Sequence, residues 1–216
     1  MKQLAFYFDA NACSGCKTCQ IACKDKNDLP LGLVWRRVYE VAGGEWKQEG
    51  AAWRQNIYAY NVSLACNHCD DPICMKSCPT KAIQKRADGI VWIDESRCMG
   101  CRYCEWSCPY GAPQFDAAKG VMTKCNLCAD YVDEGKNPSC VDACPMRALD
   151  FGEYEDLIKK YGKDVEIFPL PGEHFTEPSL VARAHRMAGR VKIEKPEVVN
   201  WEEVRVSGVI VNCSCL

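Results

Sequence analysis

No apolar stretch in this sequence approaches the roughly 18–20 residues that a membrane-spanning helix needs. It also lacks a glycine-rich phosphate loop and a nucleophile motif, so nothing in it reads as a catalytic apparatus. Neither sign of charge dominates: 27 Lys and Arg face 29 Asp and Glu, a net −2 without a long run of either. That excludes the basic footprint of a nucleic-acid binder. The opening segment, Met1-Lys-Gln-Leu-Ala-Phe-Tyr-Phe-Asp9, meets a charge too early for the apolar core of a signal peptide. Export or membrane attachment is therefore expected to come from a partner. With 48% hydrophobic and 26% charged residues over 216 positions, the composition suits one compact unit or two small domains.

What is abundant is cysteine, 18 residues in all, a density otherwise met in disulfide scaffolds. Those scaffolds are short secreted domains whose disulfides compensate for a small core. This chain is longer and shows no secretory signal, so ligating thiols are expected instead. Sixteen of the cysteines fall into four quartets. The first is Cys13, Cys16, Cys19 and Cys23, spaced C-x2-C-x2-C-x3-C. The second is Cys66, Cys69, Cys74 and Cys78, followed by Pro79. The third, Cys98, Cys101, Cys104 and Cys108 with Pro109 after it, is the full bacterial ferredoxin pattern. The fourth is Cys125, Cys128, Cys140 and Cys144 with Pro145 after it, its third cysteine arriving after an eleven-residue gap.

This spacing suits cubane 4Fe–4S clusters. A C-x2-C-x2-C loop brings three thiolates to one side of a cubane and turns backbone N–H groups toward its sulfurs. The fourth cysteine lies beyond that loop's reach and ligates the other cluster of a two-cluster pair. The proline after it commits the chain to an extended exit. Zinc is the competing reading. All-cysteine zinc sites use two C-x2-C knuckles, two thiolates from each, whereas quartets one and three each offer three thiolates within seven residues.

Internal repetition suggests how the quartets pair. Phe8-Asp9 precedes Cys13 as Ile93-Asp94 precedes Cys98, each after a β-rich stretch at residues 4–8 and 90–93. Cys78-Pro-Thr-Lys-Ala-Ile83 matches Cys144-Pro-Met-Arg-Ala-Leu149. The expected fold is α+β: two bacterial-ferredoxin-like modules, one inserted into the other. Residues 57–116 would form the inserted module, residues 1–56 plus 117–152 the split one, and residues 153–216 a C-terminal helix and extended partner-docking tail. Cross-ligation then assigns cluster one to Cys13, Cys16, Cys19 and Cys144, and cluster two to Cys125, Cys128, Cys140 and Cys23. Cluster three takes Cys66, Cys69, Cys74 and Cys108, and cluster four takes Cys98, Cys101, Cys104 and Cys78.

Elsewhere, residues 34–41 and 57–62 read as strands, with Gly43-Gly44 as a turn. Residues 153–161 read as a helix, with Tyr154, Leu157, Ile158 and Tyr161 on one face, acids first, lysines last and Gly162 as the stop. Pro169, Pro171 and Pro178 mark a strap suited to lying on a partner rather than to building a core. An oxidised cubane with four thiolates carries about −2, so four would take the loaded protein to about −10. Lys17 and Arg102 share one slot between the second and third cysteines of their runs. They read either as cations favouring the reduced state or as solvated loop side chains. His68 reads as a loop histidine, because its quartet already has four thiols. Tyr103 and Trp106 read as packing that limits water access to cluster four. A globule of this length is about 45 Å across, and four redox centres spread over it would make a wire.

Several segments resemble a known family. They include Cys13-Ser-Gly-Cys-Lys-Thr-Cys-Gln-Ile-Ala-Cys23, Arg36-Arg-Val-Tyr-Glu-Val-Ala-Gly-Gly-Glu-Trp46 and Cys98-Met-Gly-Cys-Arg-Tyr-Cys-Glu-Trp-Ser-Cys-Pro-Tyr-Gly-Ala-Pro-Gln114. Met122-Thr-Lys-Cys125, Arg147-Ala-Leu-Asp-Phe-Gly152 and Pro169-Leu-Pro-Gly-Glu-His-Phe-Thr-Glu-Pro178 extend the match. Together they resemble the iron–sulfur (electron-transfer, beta) subunits of the dimethyl sulfoxide reductase family of molybdopterin oxidoreductases. The resemblance implies a non-catalytic electron conduit of anaerobic respiration with four 4Fe–4S clusters. Some relatives replace the third cysteine of quartet three by tryptophan and hold a three-iron cluster there; this chain has Cys104. The implied partners are a large catalytic subunit with a molybdenum or tungsten pterin cofactor, nearest cluster one, and an integral membrane quinol-reactive anchor, nearest cluster four. Co-export beside a partner bearing a twin-arginine signal would place the complex on the extracytoplasmic face. The alternative is a largely structural iron–sulfur subunit of a soluble molybdenum or tungsten enzyme. From about residue 183 onward the sequence is expected to depart from the family. Cys213 and Cys215 lie there, and Cys213-Ser-Cys-Leu216 fits a prenylation box only formally, since its middle residues are not aliphatic.

Overall fold

The first strand, β1 (Leu4–Asp9), shows why this chain folds around its N-terminus. Leu4, Phe6 and Phe8 point into the largest core, while Ala5 and Tyr7 point to the opposite face, so both faces are buried. The computed structural model describes residues 2–162, 167–188 and 196–204; Cys213 and Cys215 lie outside them. The chain continues through α1 (Thr18–Lys26), β2 (Arg37–Gly43), the hairpin β3 (Trp46–Glu49) and β4 (Ala52–Gln55), and β5 (Tyr58–Leu64). Then come α2 (Ile73–Lys76), the hairpin β6 (Ile83–Lys85) and β7 (Val91–Ile93), and α3 (Tyr103–Ser107). A third hairpin, β8 (Gln114–Asp116) and β9 (Val121–Thr123), leads to α4 (Ala129–Asp133), α5 (Ser139–Asp142) and β10 (Leu149–Glu153). The last described elements are α6 (Tyr154–Tyr161), β11 (Leu180–Arg183), β12 (Glu197–Val198) and α7 (Trp201–Val204).

Two three-stranded sheets frame the core, in the orders β10-β1-β11 and β12-β2-β5. β10 returns antiparallel to β1, with Leu4 opposite Glu153 and Phe8 opposite Leu149, so the chain on either side of quartets one and four is joined. One hydrophobic core takes Phe8, Val38, Tyr60, Ile90, Leu127 and Leu149 together with Cys66, Cys125 and Cys140. It draws on both stretches expected to be separate modules, and the β8–β9 hairpin crosses from residue 116 to 121.

Two expectations are corrected. β2 and β5 are the expected strands, paired antiparallel from Arg37–Leu64 to Gly43–Tyr58, but Gly43-Gly44 is not the turn between them. Gly43 ends β2, and Gly44 (φ +87°) opens the extra hairpin β3–β4, which every side chain leaves exposed. An exposed hairpin has no buried face and therefore no alternation to read. The proline-marked strap also builds core: β11 lies parallel to β1, with Leu180, Val181 and Ala182 buried. By contrast, α6 runs as expected, with Glu155 and Asp156 first, Lys159 and Lys160 last, and Gly162 (φ +85°) ending it. Leu157 packs with Ala5, Tyr7 and Val181, and Tyr161 stacks on Tyr7 at 3.6 Å.

Candidate metal centres

The cysteine loops bend in the same way wherever their sequences repeat. Gly15 and Gly100, second after the first cysteine of quartets one and three, have φ +72° and +70°, and Lys17 and Arg102 have +61° and +65°. Lys81 and Arg147, in the matching C-P-x-[KR]-A-[IL] segments, have φ +53° and +52°. These left-handed residues coil the backbone so that N–H groups face sulfur. Ala82 N–H donates to Cys78 Sγ and Ala148 N–H to Cys144 Sγ, both at 3.3 Å. Met122 N–H donates to Cys98 Sγ at 3.3 Å, Leu127 N–H to Cys125 Sγ at 3.4 Å and His68 N–H to Cys66 Sγ at 3.5 Å.

All sixteen described cysteines are free thiols. A cavity at the end of β1 is lined by Cys13, Cys16, Cys19 and Cys144, and a second by Cys66, Cys69, Cys74 and Cys108. In each, three cysteines come from one quartet and the fourth from another. The same exchange shows in how the thiols titrate. Burial pushes Cys13 up to about 11, and Cys19, Cys144 and Cys16 add to the shift. Burial pushes Cys23 up to about 12, helped by Cys140 and Cys128. Burial likewise takes Cys69 to about 12, with Cys66 and Cys108 beside it. It takes Cys104 to about 12, with Cys98, Cys78 and Cys101 beside it. Cys16, exposed at the chain's edge, is instead lowered by its hydrogen bond with Thr18.

Buried thiols held this high do not ionise at neutral pH unless positive charge sits among them. An iron core supplies that charge, and the donor set fits one. Asn67 Nδ2, on the second cavity, and Arg36 Nε and Nη2 are buried donors without a hydrogen-bond partner among the described residues, as expected beside an anionic group. Among the described residues no three His, Cys, Asp or Glu side chains form a group that could hold a single metal ion.

The charged residues near the thiols differ from expectation. Lys17 pairs with Glu40 at 2.9 Å and with Glu203, and Arg102 with Glu105 at 2.7 Å, so carboxylates balance both loop cations. Tyr103 and Trp106 are exposed, 51% and 63%, rather than packed over the thiols. His68 lies in a loop, as expected, but is fully buried there; burial and then Lys124 hold it well below the ordinary imidazole range, so it is neutral. Two of the buried cations, Arg36 and Lys124, had no signal in the sequence beyond their positions beside motifs. Arg36 donates from Nη1 to Ser63 Oγ at 3.1 Å and lies among Cys140, Cys19, Cys125 and Cys23. Lys124 places Nζ 3.5 Å from Cys66 Sγ. Burial lowers its pKa, but the charge that Cys66, Cys74 and Cys125 carry as thiolates raises it by more.

Residues 57–154 match a family model described as a 4Fe-4S dicluster domain. The thiol-lined fold is thus that of a ferredoxin-like iron–sulfur protein with 4Fe–4S clusters. Over 181 residues the sequence is 52% identical to one of the chains of the anaerobic dimethyl sulfoxide reductase of Escherichia coli, covering 84% of this protein and 88% of that one. It is 37% identical to one of the subunits of the sulfite dehydrogenase of Allochromatium vinosum, over 72% of this protein and 71% of that one. This protein belongs to the family of iron–sulfur electron-transfer subunits of dimethyl sulfoxide reductase-like enzymes. A further relative, the probable anaerobic dimethyl sulfoxide reductase chain YnfG of Escherichia coli, matches at 52% identity over 94% of this protein and 98% of its own length. A match that long runs past residue 183, which corrects the expected departure from the family there. β12 and α7, beyond that point, are part of the fold: Val198 and Val204 are buried in the main core.

Proposed function

We propose that this chain holds four cubane 4Fe–4S clusters and conducts electrons between a molybdopterin catalytic subunit and a membrane quinol-reactive subunit in anaerobic respiration, without performing catalysis itself. The ligand sets are Cys13, Cys16, Cys19 and Cys144; Cys125, Cys128, Cys140 and Cys23; Cys66, Cys69, Cys74 and Cys108; and Cys98, Cys101, Cys104 and Cys78. They follow the inserted-module arrangement. When bound, each cluster supplies a one-electron carrier.

The observation that carries this reading is the succession of the sets through the fold. Cys140 of the second set lies near Cys19 of the first, and Cys125 of the second near Cys66 of the third. α2 and α3 join the third and fourth, where Ser77 Oγ meets Ser107 Oγ at 2.8 Å. The first set ends at the exposed Cys16 and the fourth beside exposed Met99, Tyr103 and Trp106, leaving a surface at each end for a partner. Among the described residues no helix is long and apolar enough to cross a membrane, so attachment falls to the anchor subunit, with the complex co-exported to the extracytoplasmic face. The relatives are named as single components of a dimethyl sulfoxide reductase, a sulfite dehydrogenase and a chlorate reductase, which supports a larger complex here too.

The test is anaerobic purification with all co-purifying subunits. The expected sample is brown, holds roughly sixteen iron atoms per chain, shows paramagnetic signals after dithionite and carries a large pterin-containing subunit and a multi-span membrane protein. A colourless, zinc-loaded chain would refute it. A pterin enzyme with no membrane subunit would favour a largely structural role.

A further inference from the structure

Lys124 and His68 meet where the second and third thiol sets face each other, and they do so reciprocally. Lys124 immediately precedes Cys125, a thiol of the second set, yet its Nζ lies 3.5 Å from Cys66 Sγ of the third. His68 sits between Cys66 and Cys69 of the third set, yet its Nε2 lies 3.9 Å from Cys125 Sγ of the second. Both are fixed by one residue of the strand between them. Val91 N–H donates to His68 Nδ1 at 3.0 Å, which leaves the imidazole proton on Nε2, facing sulfur. Val91 C=O accepts from Lys124 Nζ, as does Cys125 C=O at 3.0 Å. Lys124, His68 and Val91 are each at most 3% exposed, so water screens none of this. No carboxylate pairs with Lys124 in the described contacts, unlike Lys17 and Arg102.

We propose that Lys124 and His68 are positioning residues for electron transfer between the two modules, each carried by one cluster's loop and raising the reduction potential of the other cluster. Adding an electron makes a cluster more negative, so a fixed ammonium or N–H donor at its thiolate favours the reduced state. Two anionic centres facing each other through dry protein would otherwise repel the arriving electron. The crossed donors offset that repulsion at both centres and keep the central step of the wire open. This inference rests on the ligand sets proposed above.

The test is an EPR-monitored redox titration of the purified complex carrying Lys124→Met, Lys124→Arg, His68→Leu or His68→Gln. Lys124→Met is expected to lower the reduction equilibrium of the cluster on Cys66 at least about tenfold, ~59 mV for one electron, with the clusters on Cys13 and Cys98 unmoved. Lys124→Arg should restore most of the shift. His68→Leu should lower the cluster on Cys125 about threefold and His68→Gln, which keeps a donor, less. Equal midpoints in Lys124→Met and Lys124→Arg, or a shift shared by all clusters, would overturn the proposal. Should Lys124→Met lose its iron, the His68 pair decides by the same comparison: a lower midpoint in Leu alone supports it and equal midpoints overturn it. Fewer than four reducible clusters in the unsubstituted complex would refute the ligand sets instead.

Discussion

Thr176 Oγ1 lies 3.3 Å from Cys69 Sγ although 107 residues separate the two. The strap around Thr176 clasps the quartet-two loop: Asp70 N–H donates to Glu177 C=O at 2.8 Å, Asp71 N–H to Thr176 C=O at 3.3 Å and Ser179 N–H to Asn67 C=O at 3.1 Å. Thr176 is itself buried, and its hydroxyl meets Tyr110 OH at 3.3 Å. With Cys69 ligated as a thiolate, both hydroxyls can turn, so that Tyr110 donates to Thr176 and Thr176 to sulfur. Thr176→Val removes that donor at nearly constant volume. A hydrogen bond to a charged group is worth about 1.5 kcal/mol, and only the part gained on reduction moves the potential, so the cluster on Cys69 should become harder to reduce by up to about tenfold. A redox titration reads this directly; an unchanged midpoint would leave the strap as a seal only.

Cys23 follows three cysteines of its own run, but its neighbours are Cys140 and Cys128. Cys23→Ser should therefore alter the spectrum of the cluster on Cys125, Cys128 and Cys140, and cost up to about four iron atoms per chain. The cluster on Cys13, Cys16 and Cys19 should keep its signal. Damage confined to that cluster would overturn the pairing.

Gly15 and Gly100 look equivalent in sequence and in φ, yet their surroundings differ. A Cβ on Gly100 would stand 2.4 Å from the backbone oxygen of Gly120, whereas on Gly15 it would meet the Asn61 side chain at 2.6 Å. Both alanine variants incur about 1–2 kcal/mol for left-handed backbone. Gly100→Ala must also move a second loop, at about 1–3 kcal/mol more, while Asn61 can rotate away. Side-by-side melting curves and iron contents should rank Gly100→Ala as the more damaged. The reverse order would contradict the packing described here.

Leu157 is buried on the face of β1 opposite the thiols. Leu157→Ala should destabilise the protein by about 2–5 kcal/mol, the range for deleting a buried leucine, and speed amide exchange along α6. Cluster potentials should stay where they are. A shifted potential would show that α6 reaches the metal centres.

The cysteine runs, the C-P-x-[KR]-A-[IL] repeat and α6 were legible because each depends on residues close together in the chain. A tight loop places three thiols by its own geometry, and a 3.6-residue period is visible within nine positions. Gly43-Gly44 misled for the same reason: two glycines mark flexibility locally, but whether the chain reverses there depends on what β5 pairs with. The strap misled because its prolines describe the backbone, while β11 is core only through β1 lying beside it.

By itself, then, the amino-acid order determined the kind of ligand and the loops that present it. Tertiary structure alone decided which buried cations attend the thiols. Arg36 and Lys124 look like any solvated base along the chain, and Lys17 and Arg102 look more interesting than they are. A charge matters in proportion to how little water surrounds it and whether a carboxylate balances it. For Lys17, Arg36 and Lys124 these conditions are set by residues that only folding brings together, whereas Glu105 balances Arg102 from three residues away.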